Sequence, residues 1–425
     1  MNAKLNSTDS VDHSLWHILQ ISDVLDMEFA SALCRGVVGE VLEGSLAAAS
    51  RSLFPSCRVL AWEPQRVLWP TRIPAGTEQE RHSDGNSRLR IRSLPLIRGF
   101  ARAPISWFSR IGPTVLARLL AQTPNPESSP LICTIPYFAP VAELWPGPVV
   151  YWLTDLIAAY ASANRGQVEQ LDRRMCAAAT LVCPNSVRLA EYLIERCGCD
   201  PLKIQVLPNA TRAANLLPQA PETPATSPTS IAAIPRPFAG VIGNLAGNMD
   251  WTLLERTIAL TPWLQWVFVG PTTMKIPNYV ERAARQSVMR HPRAHFIGRQ
   301  PYGELASFAR SFDVAVLPYK RREPTYSGSS TRFYEHLAAC RPMIGTPALE
   351  ELTRKTPLLE LVNTAEEAAM ALERLRANEF NDGLLAERWE QSFGGTWEAR
   401  VATLRSALAA RLFTSNASTK VRSAG

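Results

Sequence analysis

Short apolar runs alternate with longer segments of helical period along the first half of the chain. The runs are HILQI at 17–21, CRVLAW at 57–62, LICTI at 131–135, VVYWL at 149–153, TLVC at 180–183 and IQVL at 204–207. Helical patterns near 27–50, 166–179 and 186–197 separate most of them. Because strands that alternate with helices form parallel sheets, this alternation predicts an α/β domain in the first half.

The alternation stops at 216–237, where prolines and small polar residues show no hydrophobic period. This composition predicts a linker. It restarts with FAGVIGN at 238–244, LQWVFVG at 264–270, AHFIG at 294–298, DVAVLP at 313–318 and MIGT at 343–346, with helical patterns between them. A last amphipathic pattern covers 396–412. We therefore predict four parts: a Rossmann-like domain at 1–212, a linker at 213–237, a second Rossmann-like domain at 238–385, and C-terminal helices with a tail at 386–425.

Length and composition agree with two folded domains. A chain of 425 residues is longer than a single hydrophobic core usually supports. A composition of 46% hydrophobic and 20% charged residues is typical of globular proteins. The chain has no apolar run of about 18 residues, and its start lacks the basic-then-apolar order of a secretory signal. We expect a cytoplasmic protein.

The net charge of +7, from 45 basic and 38 acidic residues, suits an anionic partner. No Asp or Glu occurs between Gly85 and Pro126. The same segment contains aromatic residues and seven arginines: Arg88, Arg90, Arg92, Arg98, Arg102, Arg110 and Arg118. This pattern is typical either of a solvated domain face or of a segment, here 88–118, in peripheral contact with the anionic inner face of a membrane. Because no nucleic-acid recognition module accompanies the charge, nucleic acid is not an expected partner.

Two loops at predicted strand ends carry groups that suit an anion. Gly243 and Asn244 open a GNLAG loop, where glycines let backbone amides approach a phosphate or a sugar, although such a loop is also an ordinary turn. The second loop leads into the helix FYEHLAAC. It places four candidate donor-binding residues at a helix N-terminus, where the helix dipole favours an anion: Ser329, Ser330, Thr331 and Arg332.

Further candidates lie near these loops. Glu335 is one turn into the helix, where its carboxylate could accept hydrogen bonds from two ribose hydroxyls. Tyr319 follows the strand DVAVLP, and Arg299 follows FIG at the expected edge of the same cleft. The simpler alternatives are a helix cap for the serines, a solvated helix residue for Glu335 and a surface position for Arg299.

Asp155 is the candidate catalytic residue of the first half. It follows VVYWL at the carboxyl end of a strand, where ligand clefts of parallel sheets open. There it could deprotonate an acceptor hydroxyl, or it could orient the acceptor if the reaction retains configuration; the alternative is a turn or cap aspartate. The six histidines form no metal or triad pattern and no D-x-D pair stands at a strand end, so no metal is expected.

The segment 240–350 resembles the donor-binding domain of GT-B glycosyltransferases of the group 1, family four-like type. The resemblance rests on VIGNLAGNMDWTLL, WLQWVFVGP, HFIGRQPYGELASFARSFDVAVLPY and SGSSTRFYEHLAACRPMIGTP, with weaker likeness at 179–186 and 206–209 to the acceptor domain. It implies a GT-B fold, in which two Rossmann-like, doubly wound parallel-sheet domains face each other across a cleft. It also implies a nucleoside diphosphate sugar donor, no cofactor, and a carbohydrate or lipid-linked acceptor in polysaccharide or glycolipid assembly.

The chain departs from the family's pattern at three places. Of two glutamates eight positions apart, Glu335 matches the second, and Ser327 stands where the first would be. Cys340 replaces a glycine, and the Arg and Lys pair that grips the diphosphate is missing, so Arg299, Lys320 and Arg332 are the expected replacements. Ser327 keeps open an inactive GT-B scaffold, whereas a nucleotide-linked oxidoreductase is disfavoured because no GxGxxG follows a strand.

Overall fold

In a computed structural model of the chain, the described residues are 15–19, 32–33, 58–67, 79–83, 87–97, 105–160, 163–221, 223–273 and 276–422. Of these, residues 15, 58–67, 79–83, 87–97, 107, 108, 111 and 413–422 are described by their backbone alone. The helix predicted near 27–50 lies outside the described residues, apart from 32–33.

The first sheet has seven strands in the order β3-β4-β2-β1-β5-β6-β7. Its strands are β1 (Leu15–Leu19), β2 (Arg58–Val67), β3 (Gln79–Ser83), β4 (Ser87–Ile97), β5 (Leu131–Cys133), β6 (Val149–Tyr151) and β7 (Leu181–Val182). Neighbours are parallel except β3, which pairs antiparallel with β4. The helices of this half are α1 (Ile105–Leu120), α2 (Ala139–Ala142), α3 (Arg165–Ala178) and α4 (Val187–Cys197).

Two features of this sheet differ from the sequence prediction. Within the arginine-rich stretch, the described residues form β4 and most of α1, while 98–104 lie outside the described residues. Strand β4 pairs with β2 from Val59↔Leu89 to Val67↔Ile97, a long-range pairing that no local period indicates. The strand predicted at 204–207 is wrong, because that segment makes only an isolated bridge, Val182↔Ile204, beside the edge strand β7.

The second sheet has six parallel strands in the order β10-β9-β8-β11-β12-β13. They are β8 (Phe238–Ile242), β9 (Gln265–Val269), β10 (Ala294–Gly298), β11 (Val314–Leu317), β12 (Met343–Gly345) and β13 (Glu360–Leu361). The helices between and after them are α5 (Trp251–Leu260), α6 (Tyr279–Arg290), α7 (Leu305–Ser311), α8 (Thr331–Ala338) and α9 (Ala365–Ala377). Chain order reverses between β8 and β11, so ligands are expected beyond the carboxyl ends of these two strands. The prediction of two doubly wound parallel sheets is confirmed.

The proline-rich segment and the last helix both pack on the sheets. Ile231 is fully buried in one cluster with Phe238 and Phe308, so the segment before β8 covers the second sheet. After α10 (Leu385–Gly394), helix α11 (Trp397–Arg422) returns to the first half, where Trp397 and Leu404 share a core with residues of β1, β5 and β6. The chain thus crosses from one sheet to the other twice.

No helix in the described ranges combines the length and the apolar character that crossing a bilayer requires.

Candidate functional site

A cleft of about 260 Å³ lies where the carboxyl ends of the two sheets meet. The first half contributes Trp152, Thr154, Asp155 and Asn209, and the second half contributes Asn248, Tyr319, Thr325, Gly328, Ser329, Thr331, Arg332 and Leu349. Strand β6 ends directly before Trp152, and β11 ends shortly before Tyr319. The cleft therefore occupies the position that parallel sheets offer to ligands.

The N-terminus of α8 forms one wall of this cleft. Ser330 caps the helix, since its Oγ accepts a hydrogen bond from the Phe333 amide at 3.2 Å and lies 2.9 Å from the Tyr319 hydroxyl. Thr331 and Arg332 supply the first two amides of the helix, which no carbonyl of the helix can reach. Ser329 and Thr331 line the cleft beside them. The arrangement favours an anion at this wall.

Arg332 connects this helix to the first glycine loop. Its Nη2 donates to the Asn244 carbonyl at 2.8 Å, and its guanidinium lies 5.0 Å from the centre of the Tyr319 ring. Gly243 has a φ of +115°, and a Cβ there would lie 2.2 Å from the Arg332 Nε. Gly243 is therefore needed both for its backbone conformation and for the close approach of the arginine.

The structure does not bring Lys320 or Arg299 into the cleft. The Lys320 ammonium pairs with Glu281, whose side chain is buried and also accepts a hydrogen bond from the Trp251 amide at 3.0 Å. Arg299 is exposed directly after β10 and is not among the cleft residues. Of the three cations expected to replace the family's pair, only Arg332 lines the cleft. The positive charge of Lys320 is instead matched by a buried carboxylate.

Glu335 is held by protein groups and does not line the cleft. Its side chain is 4% exposed, with the Tyr302 hydroxyl donating to Oε1 at 2.7 Å and the Asn215 amide to Oε2 at 3.1 Å. Burial raises the pKa of Glu335, while its hydrogen bonds and Arg212 oppose the rise. A ribose could reach this carboxylate only by replacing such partners, so the ribose contact stays a prediction.

Asp155 lies in the cleft, as its position after a strand predicts. The Tyr160 hydroxyl donates to its Oδ2 at 2.5 Å, which orients the carboxylate. Trp152 and Thr154, which also line the cleft, flank it along the chain. The structure thus places a carboxylate of the first half in the same cleft as the helix N-terminus and the cation of the second half. Its catalytic role stays a prediction.

Asn209 and Ser186 of the first half contact the loop before α8, and sequence reasoning did not assign them a role in the site. The backbone amide of Asn209 donates to Ser329 Oγ at 3.0 Å, and its side-chain Nδ2 donates to the Ser329 carbonyl at 2.9 Å. Ser186 Oγ donates to the Ser327 carbonyl at 2.5 Å. The resemblance of 206–209 to the acceptor domain was the signal that could have marked Asn209. Asn248 carried no signal beyond its place after the glycine loop.

Ser327, which stands where the family has its first glutamate, is buried outside the cleft lining. Its Oγ donates to Glu323 Oε1 at 2.8 Å, and its amide lies 3.3 Å from Glu323 Oε2. Across the described part of the chain, no group of three or more His, Cys, Asp or Glu side chains is arranged to hold a metal ion.

No protein-family model matches the sequence, and no curated protein matches it. Among solved structures, the chain is similar to trehalose 6-phosphate synthase from Burkholderia multivorans, with 16% identity, a TM-score of 0.61, and coverage of 96% of this chain and 100% of that one. It is also similar to sucrose-phosphate synthase from Thermosynechococcus elongatus, with 16% identity, a TM-score of 0.58, and coverage of 97% and 100%.

A third similar structure is Anabaena HepE in complex with UDP and glucose, with 11% identity, a TM-score of 0.58, and coverage of 92% of this chain and 98% of that one. At such identities the likeness concerns the fold, and it spans nearly the whole of each chain. With two parallel sheets that meet at a common cleft, the chain has the GT-B fold of these glycosyltransferases.

Proposed function

We propose that this chain is a glycosyltransferase of the hexosyltransferase type, which moves a sugar from a nucleoside diphosphate sugar to an acceptor hydroxyl. The observation that carries the proposal is the composition of the cleft. One cleft is lined by a carboxylate of the first half, Asp155, and by a helix N-terminus and an arginine of the second half, Thr331 and Arg332. Sugar transfer from an activated donor needs both a proton acceptor and a site for the departing anion.

The donor would lie against the second half of the molecule. Its diphosphate would meet the first amides of α8 and the guanidinium of Arg332, where the helix dipole and a fixed cation stabilise negative charge. The solved structure of HepE with UDP and glucose supports UDP as the first nucleotide to test. In this proposal the protein's own cations balance the leaving group, and no metal is required.

The acceptor would lie against the first half. As the acceptor oxygen bonds to C1 of the sugar, the bond from C1 to the diphosphate oxygen breaks, and in an inverting reaction Asp155 takes the hydroxyl proton. In a retaining reaction Asp155 would orient the acceptor, and the hydroxyl proton would pass to the departing diphosphate oxygen. We propose a carbohydrate or lipid-linked acceptor in polysaccharide or glycolipid assembly, on the cytoplasmic side, with residues 88–118 in peripheral contact with the membrane.

A catalytically inactive scaffold with the same fold is the second candidate. The observation that favours it is Ser327, whose side chain hydrogen-bonds to Glu323 and does not line the cleft. A scaffold of this kind could still bind a nucleotide, whereas it would transfer no sugar. The two candidates therefore differ in turnover and not in binding.

Thermal unfolding with UDP, GDP, ADP or NAD tests the donor site. A ligand present at 100 times its Kd stabilises the folded state by about 2.7 kcal/mol, so we expect one nucleoside diphosphate, and not NAD, to raise the Tm. Arg332→Ala should abolish the increase, and Arg299→Ala, which removes an exposed arginine outside the cleft, should leave it intact. No stabilisation by any nucleoside diphosphate would refute the donor assignment.

Transfer itself is tested with the nucleotide that binds. We expect release of the nucleoside diphosphate from its sugar in the presence of acceptor glycans or lipid-linked sugars, and a loss of about 100-fold or more in Asp155→Asn if Asp155 is the general base. The variant should keep the affinity of the wild type for the nucleotide. Binding without release under any acceptor condition would favour the scaffold.

A further inference from the structure

In the described part of the chain, three arginines contact the loop Gly243 to Gly247. Arg285 donates to the Leu245 carbonyl in its middle and to the Thr272 carbonyl, whereas the other two approach its opposite ends, and the sequence pattern pointed to only one of these two. Arg332 reaches the first end, where it donates to the Asn244 carbonyl. Arg322 reaches the second end: a Cβ on Gly247 would lie 3.1 Å from its Nη2, 3.6 Å from Nη1 and 3.7 Å from Cζ. Since these three atoms are at similar distances, the guanidinium lies over the glycine.

Among the described residues, no carboxylate pairs with Arg322. The side chain is exposed, and it has no ion pair within the part of the chain that the structure describes. The adjacent Glu323 accepts hydrogen bonds from the Ser327 hydroxyl and amide instead. In this respect Arg322 differs from Lys320, whose ammonium is paired with Glu281.

Backbone contacts hold Arg322 next to the glycine loop. The Lys320 amide donates to the Asn248 carbonyl at 2.9 Å, and Met249 and Tyr319 form an isolated antiparallel bridge. Asn248 follows Gly247 directly and lines the cleft. The segment that carries Arg322 is therefore attached to the loop. Arg322 does not itself line the cleft, and it lies beside Gly247, the residue directly before the cleft residue Asn248.

Arg321 gives a contrast within the same segment. Its guanidinium lies 4.4 Å from the centre of the Tyr326 ring, on which Arg188 of the first half also lies at 5.8 Å. Arg321 thus packs against an aromatic ring, and Arg322 covers the glycine loop. Two neighbouring residues of equal charge have different surroundings, which provides a matched control.

We propose that Arg322 and Arg332 together bind the diphosphate of the donor at the Gly243 to Gly247 loop, with Arg322 as a binding residue that the sequence pattern does not reveal. The inference rests on the proposed function. Guanidinium groups bind phosphate oxygens through paired N–H donors, and two of them on one glycine loop match the charge of a diphosphate better than that of a single phosphate. The departing nucleoside diphosphate gains negative charge when its bond to the sugar breaks, and the same pair would stabilise it.

Titration calorimetry with UDP, UMP and uridine tests this assignment, with the corresponding guanine or adenine series if GDP or ADP is the stabilising nucleotide. Because a charged hydrogen bond contributes about 1.5–3 kcal/mol, we expect Arg322→Ala to weaken UDP binding about 10- to 100-fold. UMP should lose less affinity, and uridine should lose none. Arg322→Lys should recover part of the UDP affinity.

Arg321→Ala, which removes the same charge one residue away, should leave UDP affinity within about twofold of the wild type, as expected for a surface change. Equal UDP affinity in the wild type and in Arg322→Ala would overturn the assignment of Arg322 alone. An equal loss of UDP affinity in Arg321→Ala and Arg322→Ala would also overturn it, because such a result would indicate an effect of net charge. If the wild type binds no nucleoside diphosphate, the proposed function fails together with this inference.

Discussion

Gly243 is the residue at which one methyl group would alter the candidate site. An alanine there would need a φ of +115°, and its Cβ would lie 2.2 Å from the Arg332 Nε. We expect Gly243→Ala to move Arg332, to lower the free energy of unfolding by about 1–3 kcal/mol, and to weaken binding of the nucleoside diphosphate. Urea unfolding and calorimetry measure the two effects.

Gly166→Ala is the control for this change. Gly166 lies in α3, and its Cβ would have only the Asn164 Oδ1, at 3.8 Å, as a neighbour. Alanine is the better helix former by about 0.5–1 kcal/mol, so this substitution should stabilise the protein and leave the cleft unchanged. Equal effects of the two substitutions would contradict the steric argument.

Asp172 should make the stability of the folded protein depend on pH, and the direction of its pKa shift gives the sign of this dependence. Its carboxylate is buried and accepts hydrogen bonds from the Tyr151 hydroxyl at 2.5 Å and the Tyr192 hydroxyl at 2.6 Å, and burial raises the pKa of Asp172 from 3.8 to about 6. Between these pKa values the folded state keeps a proton that the unfolded state has lost. The contribution of Asp172 to stability is therefore present below about pH 4, decreases as the pH rises to about 6, and is constant above that.

The size of this contribution follows from the pKa difference, at about 3 kcal/mol for two pKa units. Unfolding by urea from pH 4 to pH 7 should show that Asp172→Asn loses less stability than the wild type over this range. The comparison of the two proteins removes the contributions of other groups, such as His17, whose pKa burial lowers to about 4. Parallel pH profiles for the two proteins would contradict the assignment.

At the scale of elements, α11 is the helix that joins the end of the chain to the first sheet. Its residue Leu404 is fully buried in one cluster with Trp16 and Ile18 of β1, and Trp397 packs edge-on against the Trp152 ring at 6.1 Å. Removing a buried leucine side chain costs about 2–5 kcal/mol. We expect Leu404→Ala to lower the free energy of unfolding by this amount.

Met370→Ala provides the comparison, because Met370 is 56% exposed on α9. A surface substitution of this kind changes stability by less than about 0.5 kcal/mol. Chemical unfolding of both variants measures the difference. If Leu404→Ala were as stable as Met370→Ala, the packing of α11 on the first sheet would be in doubt.

At the scale of the whole molecule, hydrogen bonds from Ser186 and Asn209 hold the loop before α8 against the first half. We expect the double variant Ser186→Ala, Asn209→Ala to lose its two side-chain hydrogen bonds to this loop, about 0.5–1.5 kcal/mol each. It also loses the hydrogen bond by which Ser186 Oγ caps α4 at the Leu189 amide, which lowers stability within the first half alone. The two sheets should then separate more readily, and small-angle X-ray scattering should give a larger radius of gyration.

Ser307→Ala is the control, since the Ser307 hydroxyl donates to the Glu304 carbonyl within the second half alone. Its scattering profile should match that of the wild type. Saturation with the stabilising nucleotide should compact the double variant if the donor binds at the same loop. An unchanged radius in the double variant would show that these bonds do not hold the halves together.

The local pattern of the sequence contained most of the fold. Apolar runs predicted β8 to β12 because each buried strand of a parallel sheet is a short continuous apolar segment. The pattern did not predict β4, which is interrupted by arginines and a proline, since its pairing with β2 is a long-range contact. Conversely, the apolar run at 204–207 suggested a strand, although only one bridge to β7 forms there.

For the candidate site, the pattern of residues was enough to predict which loops follow the strands, and hence that Asp155, Tyr319 and the segment before α8 lie near one cleft. The position at which a strand ends or a helix starts depends on residues close in the chain, and a period reveals it. Which cation is available to a ligand became clear only from the folded molecule. Lys320 is paired with a buried glutamate and Arg299 lies outside the cleft, whereas Arg322 covers Gly247 without a partner carboxylate in the described part of the molecule. The charge of an arginine or lysine is the same at every position in the sequence, and the groups that compete for it come from distant segments that only folding brings together.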